Sequence, residues 1–279
     1  MAQIRTSLIG VCLLALASCK NPYPVPAIAA PTDAGATGIE RSPTEAVGLP
    51  GIRHSYKIEF TPRRIELTKE YAKLHYSGYY EATTGSPEMP GLEIDPKVIV
   101  VHYTAGLTLQ GAFKTFERPT LGGRPYLDRA GAVNVSVQFI VDRDGTIYQT
   151  MPDNYFCRHC IGLNHCSIGF ENIGAGDISE AALRGEPQRD RRRLTLAQLK
   201  ANVRLIRYLK RKYPDLEILI GHSEYRQLEQ PTHPGHRLFH ENDPKYRTGK
   251  SDPGPRFMQA LRDELADILR PGSSGQVFK

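Results

Sequence analysis

The sequence predicts an α/β fold in which a sheet of short strands is covered by helices, and three observations point to it. Two brief, strongly apolar runs, KVIVVHYT at 97–104 and LEILIGHSEY at 216–225, have the length and the turn-residue boundaries of buried strands. Between them, LTLAQLKANVRLIRYLKRKYP carries apolar residues at helical spacing. A third stretch, NVSVQFIVDRDGTIYQT at 134–150, alternates and then turns at Asp144-Gly145, as a β-hairpin does. Strands and helices interleaved in this way build a sheet with helices packed on it.

Taken in order, the first strand is the β-branched run bounded by Pro96 and Gly106, and it ends in His102. The hairpin places Val135, Val137, Phe139 and Val141 on one face and resumes at Ile147 and Tyr148. SIGFENIG at 167–174 is a further strand and carries Glu171. The following helix sets Leu196, Leu199, Val203, Ile206 and Leu209 on one face. Thr195 and Gln198 form a capping box at its start, and it stops before Pro214. Leu216 to Ile220 is the last strand and runs into His222. Pro255 opens a final helix with Phe257, Leu261, Leu265 and Leu269 as its apolar stripe.

Ahead of these elements the chain has a different character. Arg5, an apolar run from Leu8 to Ala17 and a Leu-Ala-Ser-Cys box ending at Cys19 resemble the signal of a bacterial lipoprotein. The apolar run falls short of the roughly 20 residues that a membrane span needs. The expectation is a signal over 1–18, acylation at Cys19, and a Pro-rich tether over 19–50. Lys20 in place of an aspartate favours the periplasmic face of the outer membrane. Residues 51–96 are expected to be an extension packing on or leading to the domain, 97–270 the domain itself, and 271–279 a tail.

The formal charge of +6 suits an anionic polymer. Its basic residues are scattered apart from RDRRR at 189–193, and they lack the interleaved aromatics of a nucleic-acid face. Nucleic acid is therefore not the expected partner.

His102 and His222 each end an apolar strand, and Asp252 lies on a loop before a helix. Strand ends are where an open α/β sheet presents functional groups. Two imidazoles and a carboxylate suit Zn²⁺ with a fourth position open for catalysis. The spacing is long-range, and a lone histidine at a strand end is more often a satisfied polar residue than a ligand.

Several motifs occur together and in order: VIVVHYTAG, VSVQFIVDRDGTIYQTMPD, a loop histidine at His159, N-x-x-SIGFE at 164–171, IGHSEY and KSDPGPRF. In this the chain resembles the zinc-dependent N-acetylmuramoyl-L-alanine amidases of type 2, which share their fold with peptidoglycan recognition proteins. The resemblance spans 97 to about 270. It implies a mixed central β-sheet flanked by helices, Zn²⁺ held by His102, His222 and Asp252, and cleavage of the bond between N-acetylmuramic acid and L-alanine in peptidoglycan or muropeptides. It further implies that Glu171 is the catalytic acid/base, that Lys250 stabilises the transition state, and that His159 and Asn164 lie on the substrate side. The rival reading is a non-catalytic peptidoglycan-binding protein of the same fold. All three ligand positions and both catalytic positions are filled, which favours the enzyme.

Two stretches depart from the family's pattern. Relatives join the second histidine to the aspartate by a short loop, whereas here residues 225–249 intervene as an insert. Its His233, His236, His240 and Asp243 are competitors for the third ligand position, and the insert itself is expected to extend the wall of the substrate groove. The other departure is CRHCIGLNHC at 157–166. Cys157, Cys160 and Cys166 in an exported chain are expected to form one disulfide, with a second zinc site as the alternative.

Overall fold

A computed structural model describes residues 51–272 and 274–279. Cys19, the signal and the tether lie outside the described residues. Six strands form one sheet: β1 (Ile52–Arg53), β2 (Val98–Tyr103), β3 (Phe139–Val141), β4 (Ile147–Gln149), β5 (Ser167–Asn172) and β6 (Ile218–Gly221). Their order is β1-β4-β3-β5-β2-β6, with only the β3–β4 hairpin antiparallel. The sheet is thus mixed, as expected.

The paired part of the hairpin is shorter than the alternation over 134–150 suggests. Residues 134–136 turn to other partners, while Gln138 O still accepts from Thr150 N across the hairpin. The Asn134 side chain donates to the carbonyls of Thr115 and Arg118, and Ser136 N donates to Arg158 O. At the turn, Gly145 has φ 84°, and a Cβ there would lie 2.7 Å from the carbonyl oxygen of Ala197, so the turn requires glycine twice over.

β2 shows how the layers form. Its Ile99 and Val101 face a cluster with α5 (Leu196–Lys212) and α6 (Pro255–Glu264), through Leu205, Ile206, Phe257 and Leu261. Val98 and Val100 face the opposite cluster with α1 (Pro62–Thr84), through Leu67, Tyr71, Tyr76 and Tyr80. The extension over 51–96 is therefore one of the two covering layers of the sheet. Its helix starts at Thr61, whose hydroxyl accepts from Arg64 N, with Pro62 in the first turn, and it ends at Gly85 in the left-handed region. The tyrosine-rich stripe of this helix, carrying Arg64, Thr68 and His75 among its buried residues, hid its apolar face from the sequence reading.

The capping box of α5 is present as predicted. α6 is shorter than its stripe implies, yet Leu265 and Leu269 stay buried in the turns that follow it. The presumed tail returns to the sheet: Val277 bridges Ile218, and Phe278 is buried.

The insert is braced against α1 and does not stand out as a free wall. Glu241 Oε1 lies 2.7 Å from His75 Nδ1, while His75 Nε2 lies 2.7 Å from the carbonyl oxygen of Ala130. Asn242 N donates to His75 O, and the Asn242 side chain donates to Leu74 O and the Ser77 hydroxyl. His75→Ala would leave the Ala130 carbonyl without this partner and take one of two hydrogen bonds from Glu241 Oε1, which keeps Asp243 N, each loss worth about 1–3 kcal/mol. Denaturant unfolding should accordingly show a loss of about 3 kcal/mol, and an unchanged midpoint would mean that this brace does not stabilise the fold.

Candidate functional site

Sheet order brings the predicted residues together. β2 and β6 are parallel neighbours with Val101 opposite Gly221, so His102 and His222 emerge side by side at the same end. β5 flanks β2 on its other side, with Glu171 opposite His102. Asp252 enters from the loop before α6, held by Ser223 N donating to its carbonyl. That loop has a support the sequence reading missed. Asp177 caps α6 from a distant segment, its carboxylate accepting from Arg256 N and Phe257 N at 2.9 and 2.8 Å.

Three atoms converge. His102 Nδ1 and His222 Nδ1 are 2.9 Å apart, and Asp252 Oδ2 lies 3.3 Å from the first and 3.1 Å from the second. In a tetrahedral zinc site with bonds of about 2.0–2.1 Å, neighbouring ligand atoms are separated by about 3.3 Å. The triangle in this protein fits that geometry and that donor chemistry. Among the described residues this is the one group of histidine, cysteine and acidic side chains close enough to hold a metal ion.

Burial drives the His222 imidazole down to about 3, with His102 acting the same way and Asp252 opposing. Burial alone would raise the Asp252 carboxyl. The close approach of both histidines outweighs it and holds the group far below the usual carboxylate range. The site therefore presents a neutral His222 and an ionised carboxylate.

Glu171 has the opposite character. Burial pushes its carboxyl up to about 7; Asp252 adds to the rise, while His102, Lys250 and Arg124 pull it back. Its Oε2 is buried without a hydrogen-bond partner. Lys250 is exposed, and its positive charge acts on both Glu171 and His222. Arg124, on the loop before α3 (Pro125–Arg129), is a further cation felt at Glu171, and no motif pointed to it.

The competitors from the insert are engaged elsewhere. His233 Nε2 pairs with Gln276, His236 Nδ1 with Leu228 O, His240 Nε2 with Arg237 O, and Asp243 accepts from Lys245 N. The expected disulfide is absent: Cys157, Cys160 and Cys166 are all free and buried. Cys157 packs beside Met151 in one apolar cluster, and the other two belong to a different one. They behave as small hydrophobic groups. Nor do they join His159 and His165 in a second metal site.

Asn164 lies on the same loop. It is 1 % exposed, and its Oδ1 accepts from His159 N and Cys160 N at 2.9 and 2.8 Å. Its backbone and side-chain N–H groups are directed at the Tyr76 and Tyr71 hydroxyls. So placed, it scaffolds the loop. His159 is half-buried against His102 Nε2, at 3.1 Å.

The sequence profile of the family described as N-acetylmuramoyl-L-alanine amidase matches residues 92–255, more than half of the chain. This chain belongs to that amidase family. Its mixed sheet with helices on both faces is the type-2 amidase fold. Solved structures similar to it include the N-acetylmuramoyl-L-alanine amidase LysC from Clostridium intestinale URNW. That protein is 24% identical over 52% of this chain and 83% of its own, with a TM-score of 0.32. AmpD, as its selenomethionine derivative, is 21% identical over 61% and 84%, with a TM-score of 0.36. Drosophila PGRP-LB is 25% identical over 53% and 78%, with a TM-score of 0.31. None of the curated proteins matches the chain.

Proposed function

We propose that this family member is a zinc-dependent enzyme that hydrolyses the amide between N-acetylmuramic acid and L-alanine in peptidoglycan stem peptides, in wall remodelling or recycling. The observation that carries this reading is the convergence of His102 Nδ1, His222 Nδ1 and Asp252 Oδ2 beside the unpartnered Oε2 of Glu171. Zinc, when bound by these three side chains, supplies a Lewis acid that polarises a carbonyl and acidifies water.

The chain's own residues supply the remaining needs of amide hydrolysis. A carboxyl near 7 exchanges protons readily at neutral pH. Glu171 takes the proton from the attacking water and delivers it to the departing nitrogen, which leaves as an amine with the proton count balanced. Lys250 brings a positive charge toward the oxygen on which negative charge develops. Asp177 and the Ser223 amide hold the Asp252 loop in register with the two strands.

Incubating the zinc-loaded full-length protein with purified muropeptides and weighing the products tests this. Release of a free stem peptide with an L-alanine amino terminus is expected. Cleavage at a peptide or glycosidic bond instead, or tight binding with no turnover, would refute it, and the latter would favour the recognition-protein reading.

The Leu-Ala-Ser-Cys box motivates a second proposal, that acylation at Cys19 anchors the enzyme to the outer membrane's periplasmic face. Cys19→Ala should move the protein from the membrane to the soluble fraction on cell fractionation. If the variant sediments with membranes as the parent does, the anchor is wrong.

A further inference from the structure

His102 has two ring nitrogens, and only Nδ1 belongs to the triangle. Its Nε2 faces His159 Nδ1 at 3.1 Å, and His159 Nε2 in turn faces Ser167, 3.2 Å from the hydroxyl and 3.4 Å from the carbonyl oxygen. A carbonyl oxygen only accepts. With its proton on Nε2 facing that carbonyl, His159 presents a lone pair at Nδ1. That lone pair accepts the Nε2 proton of His102, which leaves the His102 Nδ1 lone pair facing His222 Nδ1, whose own contact is with the Asp252 carboxylate. The Ser167 carbonyl, which cannot donate, favours this direction for the row, with the Ser167 hydroxyl beside it able to donate or accept.

Two other features hold the row in place. Gly169 gives the His159 ring room to lie on β5, since a Cβ there would come within 2.8–2.9 Å of three ring atoms. Asn164 clamps the backbone at 159 and 160, and is itself met by Tyr71 and Tyr76 of α1. The covering helix therefore reaches the metal triangle through a continuous set of contacts.

We propose that His159 is a positioning residue for the ligand His102, fixing its tautomer and ring orientation so that Nδ1 is available to the metal. This rests on the zinc reading above, and it gives His159 a different role from the substrate-side one that the family resemblance implies. Partners that orient a ligating histidine typically contribute 10- to 100-fold to metal affinity.

The test uses the full-length protein. Zinc affinity is measured by competition with a chromophoric chelator, and the His102 tautomer by nitrogen NMR of the metal-free protein. His159→Phe keeps an aromatic ring but removes the acceptor. It should weaken zinc binding about 10- to 100-fold and mix the His102 tautomers, with KM at saturating zinc unchanged. His159→Gln, whose amide can both accept and donate, should recover part of the loss. Gly169→Ala should act in the same direction as His159→Phe while the imidazole is still present.

Parental zinc affinity and a single His102 tautomer in His159→Phe would overturn the proposal, and a raised KM alone would return His159 to the substrate side. If the phenylalanine variant fails to fold, parental affinity in both His159→Gln and Gly169→Ala overturns it equally. A parent that binds no zinc would refute the zinc reading itself; the tautomer measurement, which needs no metal, would still decide the role of His159.

Discussion

Asp252→Ala in the full-length protein should abolish stoichiometric zinc and reduce muropeptide hydrolysis to background. The carboxylate is the one negative charge among the three converging atoms, and it lies within 3.1–3.3 Å of both imidazole nitrogens. Removing it leaves two imidazole ligands, too few to fill a tetrahedral site with one position open. His102→Ala and His222→Ala should do the same. His233→Ala is the control: that ring is held by Gln276, so metal content should not change. Metal analysis after dialysis gives the answer. One equivalent of zinc and parental activity in Asp252→Ala would remove it from the ligand set.

Glu171→Gln should leave zinc in place and slow turnover by about 10²- to 10⁴-fold, the usual contribution of a positioned general acid/base. Lys250→Ala should likewise keep zinc and lose turnover. Glu171 also leaves a mark on stability. Its folded carboxyl is raised from 4.5 to about 7, so its neutral form is favoured in the native state. The contribution to stability is full below about 4.5 and disappears as pH rises through about 7. The metal-free parent should therefore weaken relative to Glu171→Gln over that window, by about 3 kcal/mol in total. Denaturant midpoints at pH 4.5 and pH 8 measure it. A parent-to-variant difference that stays flat between those pH values would mean that the carboxyl is not held in its neutral form, and near-parental turnover would rule out its catalytic role.

Strand ends and caps were legible because they depend on neighbours in the chain. His102 and His222 each close a short β-branched run, and the Thr195/Gln198 box sits directly before its helix. α1 escaped notice because its buried face is built from Tyr71, Tyr76 and Tyr80 together with Arg64 and His75, and such a face shows little contrast in hydropathy. Several of these side chains, Arg64, His75 and Tyr76, have polar tips hydrogen-bonded to distant segments, so their burial depends on partners that local pattern does not reveal. The same holds for Asn164 and Asn172. The Asn172 side chain donates to His102 O and accepts from the buried Asn202 of α5. A polar residue reads as exposed until its partner is known.

The sequence by itself determined the α/β class, most element positions, the identity of the triangle's residues and the family they resemble, since each rests on residue type and order along the chain. Only the tertiary structure decided that β2 and β6 are neighbours, which is why residues 120 positions apart have nitrogens 2.9 Å from each other. It also decided that the insert grips α1, that the cysteines stay apart, and that His159 meets His102 and Asn164 holds the loop. Contacts between segments distant in sequence follow from how sheet order and helix packing close loops, and no local periodicity encodes that choice.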